Sequence, residues 1–165
     1  MKLSFYFISE AYIAYLRNYE TRVEENKNQG RPYVGVVCEV KGVRYFAPLT
    51  SPKEKHKTMK NTKDFRKISG GKYGAINFCN MIPVPEEALI PVDFNIIADK
   101  QYRRLLQNQY NAIREDAASV LKTASTLREL VFSDNSKLSL NDRRIKERCC
   151  NFPLLESVYQ NWKQK

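Results

Sequence analysis

The hydrophobic period of this chain changes once along its length. Up to Pro91 the apolar residues come in short runs bounded by turn formers, and from about Asp99 they recur every three to four positions. A strand-rich half followed by a helical half predicts an α+β domain whose strands pair antiparallel with one another. At 165 residues the chain suits one domain with a real core, expected to span residues 1–165.

Within the first half, "LSFYFI" reads as a strand, and Ser9 caps a short helix with Tyr12, Ile13, Leu16 and Tyr19 on its apolar face. "YVGVVCEV" and "VRYFAPL", joined by Lys41-Gly42, read as a β-hairpin. Pro48 and Pro52 suit the end of a strand, and Ser51 to Asp64 reads as a charged loop. "FRKIS", a Gly70-Gly71 turn and "AINFCNMIPV" add strand, before Pro83, Pro85 and Pro91 punctuate the crossing to the helices. Tyr102, Leu105, Leu106, Tyr110 and Ile113 mark one helix face; Val120, Leu121, Ala124, Leu127 and Val131 mark the next. "SDNSKLSLNDRRIKER" reads as a polar connection, and Asn151 caps a last helix.

Charge narrows the function. Lysine and arginine number 28 against 18 acids, a net +10 that favours a polyanion: RNA, DNA or an anionic membrane. No run approaches the roughly 18 apolar residues of a membrane span. The apolar start is broken by Ser9 and Glu10 with no small-residue cleavage site after it, so it reads as the first strand of a cytoplasmic protein. The 4 cysteines form no C-x-x-C pair and have 1 histidine to help them, so reduced, mostly buried thiols are expected, with no metal site and no cofactor.

Phosphate-loop, dinucleotide, nucleophile-elbow and H-E-x-x-H signatures are all missing. What remains is Thr50, Ser51, Lys53 and His56, just past a strand end. These types suit RNA cleavage by the substrate's own 2′-OH: hydroxyls hold the phosphate, a lysine neutralises it, and an imidazole moves protons. Each also has a plain reading. Thr50 and Ser51 before Pro52 fit a turn, Lys53, Lys55, Lys57 and Lys60 a solvated face, His56 an exposed histidine among lysines, and Tyr33 a strand residue before a base-stacking one. Spacing alone supports a basic α+β domain that binds nucleic acid.

The blocks "RPYVGVV", "YFAPLTSPKEKH", "GAINFCNMIPV", "YRRLLQNQYNAIRE", "TASTLRELV" and "CNFPLLESVY" follow one another in an order that resembles the ToxN/AbiQ family, from about Met1 to Tyr159. These are endoribonuclease toxins of type III toxin–antitoxin systems. The resemblance implies a strongly bent antiparallel sheet of the Kid/MazF toxin kind with flanking helices. It implies metal-independent cleavage of single-stranded, A-rich RNA to a cyclic phosphate, in cellular and phage transcripts. It further implies a repeated pseudoknot antitoxin RNA that the toxin itself cuts from its precursor, a closed assembly of three toxins with three RNAs, and phage defence by growth arrest. The family's Thr, Ser and Lys fall on Thr50, Ser51 and Lys53, its later histidine on His56, and a lysine on Arg31. A family tyrosine falls near Lys27, with Tyr33 the nearest replacement, and Lys137 to Arg148 departs from the pattern. Lys55, Lys57, Lys60, Arg103 and Arg104 are expected to hold RNA. Two rival readings are a non-catalytic basic RNA-binding module and a MazF-like ribonuclease neutralised by a protein.

Overall fold

A computed structural model describes residues 3–25 and 31–163. Strand β1 (Ser4–Ile8) leads into helix α1 (Glu10–Arg17), where the Ser9 hydroxyl accepts from the Tyr12 N–H. Tyr12, Ile13 and Leu16 are buried as the pattern predicts; Tyr19 falls beyond the helix end and is exposed. Strands β2 (Tyr33–Val40) and β3 (Val43–Thr50) form the expected hairpin. Its two turn residues, Lys41 and Gly42, have φ of 52° and 81°, the hand that matches strand twist.

The segment read as a charged loop contains a helix, α2 (Glu54–Thr58), too short to show a period. Strands β4 (Phe65–Lys67), β5 (Ala75–Asn77), β6 (Ile82–Pro83) and β7 (Leu89–Pro91) follow. Among the described residues the strands form a 7-stranded antiparallel sheet ordered β4-β5-β3-β2-β1-β7, with β6 also pairing β3. Pro91, read as punctuation, lies in the edge strand β7, where a missing N–H is tolerated.

Pro48 is not at a strand end. It lies inside β3, opposite Tyr33. The Leu49 N–H points to the β2 side, donating to Pro32 O at 3.1 Å, so residue 48 turns its absent N–H to the other side. There β6 has already ended, opposite Phe46, and β5 begins opposite Leu49. The proline sits in the gap between two partners.

Helices α3 (Lys100–Glu115) and α4 (Ala117–Phe132) follow, separated at Asp116, and α4 packs on β2. Asp99 caps α3, accepting from the N–H groups of Gln101 and Tyr102 at 2.9 and 3.1 Å. The expected polar connection holds a second unforeseen helix, α5 (Leu140–Arg148), and Asn151 caps α6 (Phe152–Val158) against β6 and α4. Tyr12, Tyr33, Tyr45, Phe46, Phe78 and Phe152 fill the centre of the core. Cys38, Cys149 and Cys150 are buried free thiols, and Cys79 is half-buried. Among the described residues no helix is long and apolar enough to cross a membrane.

Helix α5 buries only Ile145, which is why no apolar stripe announces it. Its polar residues tie down the chain that follows α2. Arg148 donates twice to Asp64, both bonds at 2.6 Å, and Lys63 pairs with Asp142 at 2.7 Å. Burial pushes the Asp64 carboxyl up, but the bonds from Arg148 and Thr62 outweigh it and hold it below the ordinary carboxylate value. Stability from this pair is present above the unfolded carboxylate pKa and is lost as pH falls through the lower folded value. Arg148→Met leaves Asp64 buried and unpaired. Urea melts at pH 7 should show a loss of about 3 kcal/mol, the low end for a broken buried pair because Arg148 is half in water. That loss should shrink on acidification.

Candidate active site

Thr50, the last residue of β3, is held by β5 opposite Ala75. The turn leading into β5 presses on it from below. Gly74 has φ of 88°, and a Cβ there would stand 2.0 Å from the Thr50 carbonyl oxygen and 3.1 Å from the Ser51 carbonyl carbon. Gly71, with φ of 96°, makes the same close approach to the His56 carbonyl, at 2.7 Å. The segment from Gly71 to Gly74, beginning in the expected Gly70-Gly71 turn, therefore supports both ends of the Thr50–His56 stretch.

Lys53 stands at the N-terminus of α2 with its side chain exposed. Its backbone N–H donates to Nδ1 of His56 at 3.1 Å, and the His56 N–H donates back to Lys53 O at 3.0 Å. The imidazole packs against the Phe65 ring, with centroids 5.8 Å apart. At 1% exposure His56 is buried. Burial, then the charges of Lys53 and Lys55, push its pKa below the ordinary histidine value, so it is neutral at pH 7.

Between the end of β3, the chain entering β2 and the first turns of α3 lies a cavity of about 370 Å³. Thr50, Ser51, Lys53 and Arg31 all line it, which brings together four of the residues singled out by sequence. Arg31 is mostly buried and faces Glu24 across 3.7 Å. Lys55, Lys57 and Lys60 are exposed on and after α2, and Lys57 pairs with Glu54 at 3.1 Å. Arg103 and Arg104 lie between the cavity residues Tyr102 and Leu105 on α3 but are not among those that line it.

Two expected residues are placed elsewhere. His56 faces the interior below the loop and not the cavity, so the structure gives it the work of a helix cap and not of a proton carrier. Tyr33 is 0% exposed, so its ring cannot stack on a base or stand in for the family tyrosine. Lys27, opposite that tyrosine, lies outside the described residues.

Among the lining residues that went unread as such in the sequence, four carry polar groups: Glu24, Asn77, Tyr102 and Gln109. The Gln109 side chain is buried; its Nε2 donates to Tyr73 O at 2.9 Å, and its Oε1 has no partner. A polar residue inside the apolar stripe of α3 was its signal. Burial also raises the Tyr102 phenol above its ordinary pKa.

Hydroxyls at a strand end, two cations and a walled cavity on a strongly basic chain define an α+β protein able to seat a phosphodiester. Comparison with known proteins gives that class a family. The family described as "Toxin ToxN, type III toxin-antitoxin system" matches residues 4–160. "Endoribonuclease ToxN" of Bacillus thuringiensis subsp. kurstaki is 34% identical over 168 residues, covering 98% of this chain and 84% of that protein. A solved toxin structure, from work on selective toxin inhibition by a non-coding RNA pseudoknot, superposes with a TM-score of 0.86 at 32% identity and full coverage of both chains. AbiQ, a lactococcal anti-phage endoribonuclease of the type III class, gives 0.82 at 27% identity, again over 100% of each chain. The chain belongs to the ToxN toxin family.

The glycine contacts can be tested as a pair. Gly70 has φ of 64° but open space beside it, whereas Gly74 has none. Gly70→Ala should cost about 1 kcal/mol of stability by backbone strain alone. Gly74→Ala must push Thr50 and Ser51 aside, and a shift of that order costs roughly 100-fold in rate. RNA cleavage assays on the folded variants should therefore separate them, with Gly70→Ala active and Gly74→Ala nearly inactive.

Proposed function

We propose that the chain is a cytoplasmic endoribonuclease toxin, its activity carried by one domain over residues 1–165 and silenced by a repeated pseudoknot RNA that it cuts from its own precursor. The observation that carries this reading is the placement of Thr50, Ser51, Lys53 and Arg31 on one cavity at the end of β3. The name of the Bacillus relative and the RNA-inhibited and anti-phage character of the two solved relatives support it. The sheet, strongly bent, is of the Kid/MazF toxin kind.

The substrate is single-stranded, A-rich RNA of the cell and of infecting phage, and its own 2′-OH attacks the adjacent phosphate. The hydroxyls of Thr50 and Ser51 donate to the non-bridging oxygens and hold the phosphate in line. Lys53 offers a mobile ammonium that meets the growing charge and protonates the leaving 5′ oxygen. Arg31, where the family carries lysine, keeps the positive charge as a planar fork suited to two phosphate oxygens. The products are a 2′,3′-cyclic phosphate and a 5′-hydroxyl, formed without a metal. Lys55, Lys57, Lys60, Arg103 and Arg104 extend the basic surface along the RNA. Three toxins and three RNAs close into one inactive assembly, and release of the toxin arrests growth and defends against phage.

The deciding experiment incubates purified protein with RNA in EDTA and maps the ends. Full cleavage with cyclic-phosphate or 3′-phosphate termini is expected; activity lost in EDTA and restored by magnesium would rule the mechanism out. Ser51→Ala should lose both cleavage and growth arrest while remaining folded, since an exposed hydroxyl contributes little to stability. Growth arrest persisting at equal protein levels would misplace the site.

Binding and chemistry should also come apart. Each cation paired with a phosphate displaces a counterion, so losing one should flatten the salt dependence of binding by about one unit of slope. Titration of antitoxin RNA at several salt concentrations should find Lys53→Ala binding nearly normally with no cleavage. Lys55→Ala/Lys57→Ala should bind more weakly, with less salt sensitivity and residual cleavage. Equal loss of binding in both would make the basic loop one undivided RNA-holding surface.

A further inference from the structure

The cavity contains an acid that RNA binding does not call for. Among the described residues that line it, Glu24 is the only carboxylate, set among Arg31, Lys53, Thr50, Ser51 and Tyr102. A fixed negative charge there repels the phosphates that a chain of net charge +10 attracts. The ion pair with Arg31 does not account for it. Glu24 Oε2 lies 3.7 Å from Arg31 Nη2, beyond hydrogen-bond range, and the buried Nε of Arg31 has no partner. The contact differs from the two-pronged, short bonds that hold Arg148 on Asp64 and Arg66 on Asp116.

We propose that Glu24 is the general base that takes the proton from the attacking 2′-OH, an assignment that rests on the endoribonuclease reading above. The other lining groups cannot do this. An ammonium and a guanidinium have no lone pair to offer, and amides and aliphatic hydroxyls are too weakly basic. Burial holds the Tyr102 phenol protonated. Charged and titratable groups face Glu24 from several elements: Arg31, Lys53 and Tyr102 around the cavity, with Tyr33 and Cys79 behind it.

In the step, the 2′-O–H bond breaks and its proton passes to the Glu24 carboxylate as the O2′–P bond forms. The P–O5′ bond breaks, and the departing oxygen takes a proton from the Lys53 ammonium. A cyclic phosphate and a 5′-hydroxyl result. Glu24 then returns its proton to water and Lys53 regains one, so the two side chains flank the phosphate as base and acid.

The test uses the full chain and an oligoribonucleotide carrying the cleavage site mapped with the wild-type protein. It is made with oxygen or with sulfur at the 5′-bridging position, because a thiolate leaves without a proton. Glu24→Gln should slow cleavage of the oxygen substrate at least about 100-fold. It should also lose the acid limb of the pH–rate profile and remain slow on the sulfur substrate, whereas Lys53→Ala should recover on sulfur. Glu24→Asp should keep part of the rate together with the acid limb. On RNA carrying a 2′-deoxy residue at the site, Glu24→Gln should bind no more weakly than wild type, since a repulsive charge has gone. The proposal is overturned if Glu24→Gln stays within about 10-fold of wild type, keeps the acid limb, recovers on sulfur, or fails to bind the 2′-deoxy RNA. Wild-type protein that cuts no RNA, or leaves 5′-phosphate ends, would instead overturn the endoribonuclease reading itself.

Discussion

The carbonyl oxygen of Thr50 stands 2.0 Å from where residue 74 would carry a Cβ, and a side chain at 74 would close the space that the end of β3 occupies. The cleft depends on this contact. Strand β3 can reach it only by exchanging β6 for β5 along one side, and Pro48 marks the exchange by presenting no N–H where neither strand is in register. Its last residues then belong to a short three-strand corner, β4-β5-β3, whose turn supports the Thr50–Lys53 segment. Helix α5 in turn anchors that corner through Asp64 and Lys63. A polar helix with one buried residue thus holds the chain beside β4 through two ion pairs, without lining the cavity.

Polar groups in this protein fall into two populations. In the scaffold they are matched: Arg128 holds Glu156 with bonds of 2.9 and 3.0 Å, Tyr45 donates to the same carboxylate, and Asp64 takes two bonds from Arg148 and one from Thr62. Around the cavity they are not. Among the described residues the buried side-chain atoms without a partner are Arg31 Nε, Gln109 Oε1 and Tyr33 OH; the first two belong to the cavity wall, and the third lies on the strand that Arg31 leads into. Leaving such groups unpaired costs about 1–3 kcal/mol each. Concentrating that cost at one place fits a wall whose missing partners arrive with a ligand.

How much of this the sequence discloses depends on the length of each signal. The hairpin around Lys41-Gly42, the capped helix after Ser9 and the long helices α3 and α4 have enough residues for their period to show. Helix α2, with 5 residues, and α5, with one buried residue, do not. Thr50, Ser51 and Lys53 sit together within one stretch of sequence, so their common place on the cavity wall follows from their spacing. Glu24 is not legible in this way, because it arrives from a different part of the chain and, in sequence, looks like any acid in a polar stretch. His56 is the opposite case. A lone imidazole among lysines suggests chemistry by its type, and only its burial shows that Lys53 backbone N–H already occupies Nδ1.

That placement gives the Thr50–His56 segment a pH response of its own. Protonating His56 would remove the acceptor that Lys53 N–H uses and put a third positive charge beside Lys53 and Lys55. The folded pKa lies below the ordinary value, so the contribution of His56 to stability is complete above the unfolded pKa. It is lost as pH falls through the lowered folded one. Loss of the His56 bond loosens the chain that carries Lys53 and registers in stability, with or without substrate. Acid therefore acts on this segment through the backbone behind Lys53, whose N–H loses its acceptor.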